Sequence, residues 1–237
     1  MISGLVALLD GAGFDWQAWT RAWLRVLPSV TLVPAFGARF LPVQARAVLG
    51  LGLAAMLVPA MGETVAGAPY WASFGSDFLS GVPVALTASA TLWATAMAGG
   101  LFDDIRGASQ SQVSLLSEAP TPMGTLLALF ACVGFLQLGG VEQIVMALAA
   151  PEPSASVAWL RATQQLVAGI HVAFALAAPF MVASVVLDVA GALVARAAAP
   201  GSIQNLLTPL RSLALLATFA LVLRALLRTI LQLVGPK

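Results

Sequence analysis

The stretch GGLFDDIRGASQSQVSLLSEAPTPMG, residues 99–124, is the longest polar interval in an apolar chain. It carries Asp103, Asp104, Arg106 and Glu118, out of only 11 basic and 10 acidic side chains in the whole sequence. On either side lies an apolar block long enough to cross a bilayer, which takes about 20 residues in a helix. A chain this apolar keeps such an interval where it meets water, a partner or a passing substrate. Working outward from it, the same alternation of long apolar blocks and short polar connections recurs in both directions.

Composition agrees with that alternation. The 237 residues are 60% hydrophobic and 9% charged, with a mean hydropathy of +0.95. A soluble domain is about a quarter charged. The sequence therefore predicts an all-α polytopic membrane protein, a single membrane-associated helical domain over residues 1–237. The net charge of +1 gives no case for nucleic-acid binding or a polybasic patch. Cys132 is the only cysteine, which excludes an intramolecular disulfide and a cysteine-rich metal site. The N-terminus lacks a basic n-region and a long h-region, so the membrane segments are expected to carry the targeting information.

About six apolar helical segments are expected, forming helical hairpins: Trp16 to Phe36, Val43 to Met61, Leu79 to Phe102, Met123 to Ala149, Val157 to Ala198 and Pro209 to Val234. Three lie before the central loop (1–102), the loop is 103–122, and the rest follow it (123–237). Arg21 and Arg25 share one face of the first segment, either snorkelling or facing a partner. Pro28 and Pro34 argue against a straight helix there. Pro83 is expected in the first turn of the third segment and Thr121 as a cap for the fourth. The fourth is marked by Gly139–Gly140. The fifth is twice the length a bilayer needs, so Pro179 either kinks it or splits it into a pair. The spans number six, or seven if it is split. Basic residues alternate between connections (Arg39, Arg46 and Arg106, then Arg196 and Arg211), which puts odd-numbered connections in the cytoplasm. The C-terminal Arg224, Arg228 and Lys237 run against that scheme.

No catalytic or cofactor set can be assembled. GLGLAA (50–55) matches a dinucleotide-binding pattern, but no strand precedes it, and small residues in an apolar helix permit close packing. A metal site needs several converging His, Cys, Asp or Glu side chains, and the chain has one His and one Cys. His171 is read as a polar residue at a helix–helix contact. Asp103 and Asp104 are adjacent and point in different directions on a helix, so they are not a paired acid and base. Asp188 and Arg196 lie deep in apolar sequence. Such charges face a partner or a water path, and a structural pair with an arginine, within the chain or across a subunit contact, is the preferred reading of Asp188.

LFDDIRGAS (101–109) resembles the Ile-Asp-x-x-Arg-Gly-Ala-Ser stretch of the export-gate protein of type III secretion injectisomes, the SctT family, whose flagellar counterpart is FliR. Asp103, Arg106, Gly107, Ala108 and Ser109 take the matching places. TPMG (121–124) resembles the Ser-Pro-x-Gly that opens the next helix. Arg25, Leu27, Pro34, Phe36, Pro42, Arg46 and Pro59 resemble the N-terminal pattern. FLQLGG (135–140) resembles its Phe…Gly-Gly segment. The run from Asp188 through Arg196 and Pro200 to Pro209 and Arg211 is similar to its C-terminal part. APEPSAS replaces an expected Ser-Tyr, and PGSIQNLL replaces a Pro-Gln-Leu-Asn-Val-Phe stretch.

The resemblance implies a non-enzymatic subunit at the entrance of the export channel for unfolded secreted proteins, without cofactor or metal, in the bacterial inner membrane at the base of a secretion apparatus. It implies a pseudo-helical ring shared with SctR-like and SctS-like (FliP-like and FliQ-like) partners, contacts to larger export-gate and switch subunits and to membrane lipid, and none to nucleic acid. The central loop would plug the pore. Asp103 and Arg106 would anchor its base, and Gly107, Ala108, Ser109, Gln110, Ser111, Gln112 and Val113 would form its flexible part, with Pro122 at the next helix. Asp188, Arg196 and Arg211 would be structural or subunit-contact charges. The Asp-x-x-Arg-Gly unit favours the injectisome branch over the flagellar one. A small polytopic transporter is the alternative from another class, and a membrane enzyme is more distant.

Overall fold

The computed structural model describes residues 15–37, 41–60, 72–106, 121–149, 154–197, 209–221 and 224. Among them every regular element is helical, and there is no strand. The α-helices are α1 (Trp16–Leu32), α2 (Val43–Leu57), α3 (Ala72–Arg106), α4 (Pro122–Gln137), α5 (Gly140–Ala149), α6 (Ala155–Ala197) and α7 (Pro209–Leu221). The protein is thus the polytopic helical type that its composition predicts. Three stretches are long and apolar enough to cross a membrane: Val43–Ala60, Phe74–Ile105 and Ala155–Val194. The bent pair α4–α5 makes up to four. α1, at 17 residues, is just short of a span, and of the sixth block only Pro209–Leu221 and residue 224 are described.

Local chemistry explains the boundaries. Asp15 caps α1, its Oδ1 accepting the N–H groups of Gln17 and Ala18 at 3.0 Å each. This satisfies two of the donors that a helix start leaves open. α1 runs through Pro28 and stops at Leu32, short of the expected Phe36. Val33 is extended (ψ 116°), as a residue preceding proline prefers, and Pro34–Phe36 follow as a 3-10 turn. The fourth block is two helices, bent by 64°. Gly139 sits at the break with φ 72°, a left-handed conformation that glycine adopts without penalty.

One expectation needs correction, and one pair of alternatives is decided. Pro83 lies inside α3 rather than in its first turn, because the helix starts at Ala72 and takes in the polar residues 73–80. Pro179 does not divide the fifth block: α6 is continuous over 43 residues, about 64 Å of helix.

The chain forms two compact units that interleave in sequence. One comprises Met1–Thr95 and Ala128–Val172, the other Ala96–Leu127 and Ala173–Lys237. The first unit's core joins Ala22, Val26, Val30 and Val33 with Leu53, Ala54 and Leu57 of α2, Leu92 of α3, and Ile144 and Leu148 of α5. The second unit's core is Phe102, Phe180 and Leu215, with Met123 and Phe219 against it. Much of α6 turns large apolar side chains outward, among them Val182, Val185, Val186, Val189 and Leu193. A face of that kind suits lipid or other subunits rather than water.

Candidate functional site: the clasp at the neck of the central connection

Residues 107–120 join α3 to α4 and lie outside the described residues, so Gly107, Ala108, Ser109, Gln110, Ser111, Gln112 and Val113 do too. The second unit contains the two ends of that connection and what holds them.

Asp103 lies in the last turn of α3 and is fully buried. Its Oδ2 accepts the backbone N–H of Met123 at 2.7 Å. Pro122 opens α4, a position where its missing N–H costs nothing, and Met123 follows it. The first N–H groups of a helix have no partner within the helix and carry partial positive charge. A carboxylate placed there makes a short, charge-assisted bond. Asp103 therefore caps α4 from 20 residues upstream, and it supplies the side-chain acceptor expected of Thr121. Its Oδ1 is buried without a hydrogen-bond partner among the described residues. The neighbouring Asp104 is exposed. Arg106 ends α3, and its side chain is not among those described.

The backbones meet beside this bond. A Cβ on Gly99 would lie 2.6 Å from both the Cα of Gly124 and the carbonyl oxygen of Met123. No side chain fits there, so α3 and α4 touch main chain to main chain. Below this, Phe102, Phe180 and Phe219 cluster with ring centroids 4.9, 5.2 and 5.8 Å apart.

A second tie closes on the same end of α3. Arg211, in the first turn of α7, donates from Nη2 to the Ile105 carbonyl (3.2 Å), the Ser184 hydroxyl (3.0 Å) and Asp188 Oδ2 (3.1 Å). The Ile105 carbonyl belongs to the last turn of α3, where carbonyls lack helical partners and a cation is favoured. The arginine facing Asp188 is Arg211; Arg196 lies exposed two turns further along α6. Both partners are half-exposed, with side-chain exposures of 38% for Arg211 and 52% for Asp188, so the pair tethers α7 more than it adds stability.

The first unit holds a charge cluster that sequence reasoning missed. Asp77, which falls between the expected second and third segments, sits on α3 with its side chain 4% exposed. Arg21 Nε donates to its Oδ2 at 3.0 Å and Arg25 Nη2 to its Oδ1 at 3.2 Å. Arg25 also donates to the Leu148 carbonyl at the end of α5. The spacing of Arg21 and Arg25 was the available signal, since two cations on one face need a carboxylate to sink inward. His171, expected at a helix contact, is exposed on α6. Among the described residues, no three His, Cys, Asp or Glu converge as metal ligands would.

An all-helical chain with several membrane-length apolar helices and a buried carboxylate at the neck of its central connection defines a class: a membrane-embedded helical protein. The family follows from the sequence over nearly its full length. Residues 16–235 match the family described as bacterial export proteins, family 1, and the chain belongs to it, the family of SctT and FliR. No curated protein matches the chain. It is thus a component of a bacterial export apparatus of the type III or flagellar kind, from a family of structural parts rather than known enzymes.

Proposed function

We propose that the chain is the SctT-type subunit of an injectisome export gate in the inner membrane, and that residues 107–120 plug its channel at rest. The observation that carries this reading is the Asp103–Met123 bond. It holds the two ends of the connection together at one point, so whatever lies between them is presented from a fixed neck. The arrangement suits a plug, which must be able to move while its roots stay in place. The small polar residues from Ala108 to Gln112 offer an unfolded substrate little to adhere to. SctR-like and SctS-like subunits would cover the outward apolar face of α6, and larger export-gate and switch subunits would adjoin the assembly. The LFDDIRGAS unit favours this branch over the flagellar FliR-type alternative.

Deleting residues 108–118 tests the plug. The expected outcome is an assembled gate whose membrane leaks small solutes. Normal assembly with unchanged permeability rules the plug out. Purifying the chain with and without SctR-like and SctS-like proteins tests the partners, and a stable monomer indifferent to both would refute the gate assignment.

A further inference from the structure

Within the second unit, the last turn of α3 is gripped from two directions. Asp103 holds the Met123 amide at the start of α4. Arg211 of α7 donates to the Ile105 carbonyl, just beyond Asp103 on α3. The same turn carries Phe102, which is fully buried in one core with Leu215 and Phe219 of α7 and with Met123 of α4. α7 and the start of α4 therefore bear on the same turn, the first through Ile105 and Phe102, the second through Asp103 and Phe102. A helical turn moves as a body, because its backbone hydrogen bonds join neighbouring residues. What α7 does to Ile105 is thus felt at Asp103.

α7 is also the lightly fastened element of this unit. Within Pro209–Leu221 the buried residue is Leu215, while Leu210, Leu213 and Leu221 are exposed. Among the described residues Arg211 makes its hydrogen bonds from Nη2, and its Nε is buried without a partner. The ion pair to Asp188 is half-exposed. Elements with few buried apolar contacts and solvent-exposed polar ties open locally while the rest of a fold stays intact. The join between α3 and α6 is of the other kind. Phe102 and Phe180 meet edge to face with both rings buried.

We propose that α7 is a strap that controls the neck of the central connection. Docked, it fixes the last turn of α3 against the start of α4 and keeps the Asp103–Met123 bond closed. Released, it frees the Ile105 carbonyl, uncovers one side of Phe102 and lets that bond open, while α3 and α6 stay packed through Phe102 and Phe180. The order of opening follows from the fastenings: α7 first, the neck second. Coupling of this kind needs a connected physical path between the two sites, and here the path is a single helical turn. The strap does not depend on what residues 107–120 do, so it stands or falls separately from the plug.

Hydrogen exchange of the full chain in detergent, read at the Met123 amide, tests the strap. Arg211→Gln should raise exchange there by about two- to fivefold, the range that loss of a half-exposed ion pair supplies. The α6 amides from Phe180 to Ser184 should keep their wild-type exchange, which separates release of the strap from unfolding of the unit. In an Asp103→Ala background the bond is already gone, so Arg211→Gln should add no further rise at Met123; coupled residues are non-additive in this way. The wild type gives a second measurement that needs no variant to fold. The Asp188–Arg211 pair is open to solvent ions, so raising salt from about 0.05 M to about 0.5 M should speed Met123 exchange by about twofold. Equal Met123 exchange in the wild type and Arg211→Gln would overturn the strap, as would a rise shared by the α6 amides. So would a full further rise in the Asp103→Ala background, or wild-type exchange that ignores salt.

Discussion

Asp77 and Asp103 lie on the same helix, and both are buried, with 3% and 0% exposure. Their surroundings have little else in common. Asp77, in the first unit, faces two guanidinium groups brought by α1, and one of these also reaches the end of α5. Asp103, in the second unit, has one backbone N–H and leaves an oxygen unused among the described residues. Burying a carboxylate is costly, and a protein offsets the cost either with opposite charge or with helix-end dipoles and hydrogen bonds. The first solution ties three helices permanently. The second is a single bond at the neck of a connection, beside the close approach of Gly99 and Gly124. The chain therefore has a lock of three charged side chains in its first unit and, in its second, a latch of one bond at the neck of the central connection.

The comparison can be broken at its strong end first. Asp77→Ala removes a buried carboxylate that two largely buried arginines share and is expected to cost about 3–5 kcal/mol. Thermal unfolding in detergent and recovery of monodisperse protein will measure it, and a loss below about 1 kcal/mol means the cluster is solvated rather than locked. Gly99→Ala or Gly124→Ala comes next. A Cβ at Gly99 forces the touching backbones of α3 and α4 apart, and one at Gly124 meets the Thr121 hydroxyl at 2.5 Å and the Ala96 carbonyl at 3.1 Å; each should cost about 1–3 kcal/mol by the same assay. Wild-type stability in both variants would contradict the close approach.

The latch should give smaller effects. Asp103→Ala removes a cap worth about 1–2 kcal/mol. Hydrogen exchange at the Met123 amide, and protease cleavage within 107–120, should rise by about 5–30-fold. Asp103→Asn keeps an acceptor and should stay close to wild type, so equal damage from both variants would show that the charge itself is required. Arg211→Ala is the mildest, about 1 kcal/mol or less for a half-exposed pair, with Arg211→Lys between it and the wild type. A loss in Arg211→Ala as large as in Asp77→Ala would erase the distinction between the two units.

Much of the helix layout was legible from residues. Pro34 marks where α1 yields, and Gly139 marks the bend between α4 and α5, because both act through backbone geometry within a few positions. The start of α3 was not legible. Ser76, Asp77 and Ser80 look like a polar connection until Arg21 and Arg25, more than 50 residues earlier, neutralise the acid and let the helix extend over them. The continuity of α6 through Pro179 was equally hidden, since a proline's local cost does not reveal whether packing outweighs it. At the candidate site, the resemblance singled out Asp103. Its role as the cap of α4 needed the approach of two helix ends.

The sequence by itself determined the solvent and the class of structure. Long apolar runs with few charges can satisfy their backbone in lipid only as helices, and that constraint acts on composition alone. Family membership, too, is written in the order of residues 16–235. Tertiary structure alone decided which charges meet. Arg211 reaches Ile105 across 106 positions, and Asp188, with Arg196 eight residues away, takes Arg211 instead. Ion pairs and caps over such distances depend on which helix faces pack, and no local pattern encodes that. The latch at Asp103 and the lock at Asp77 are therefore properties of the folded chain, built from acids that look alike in the sequence.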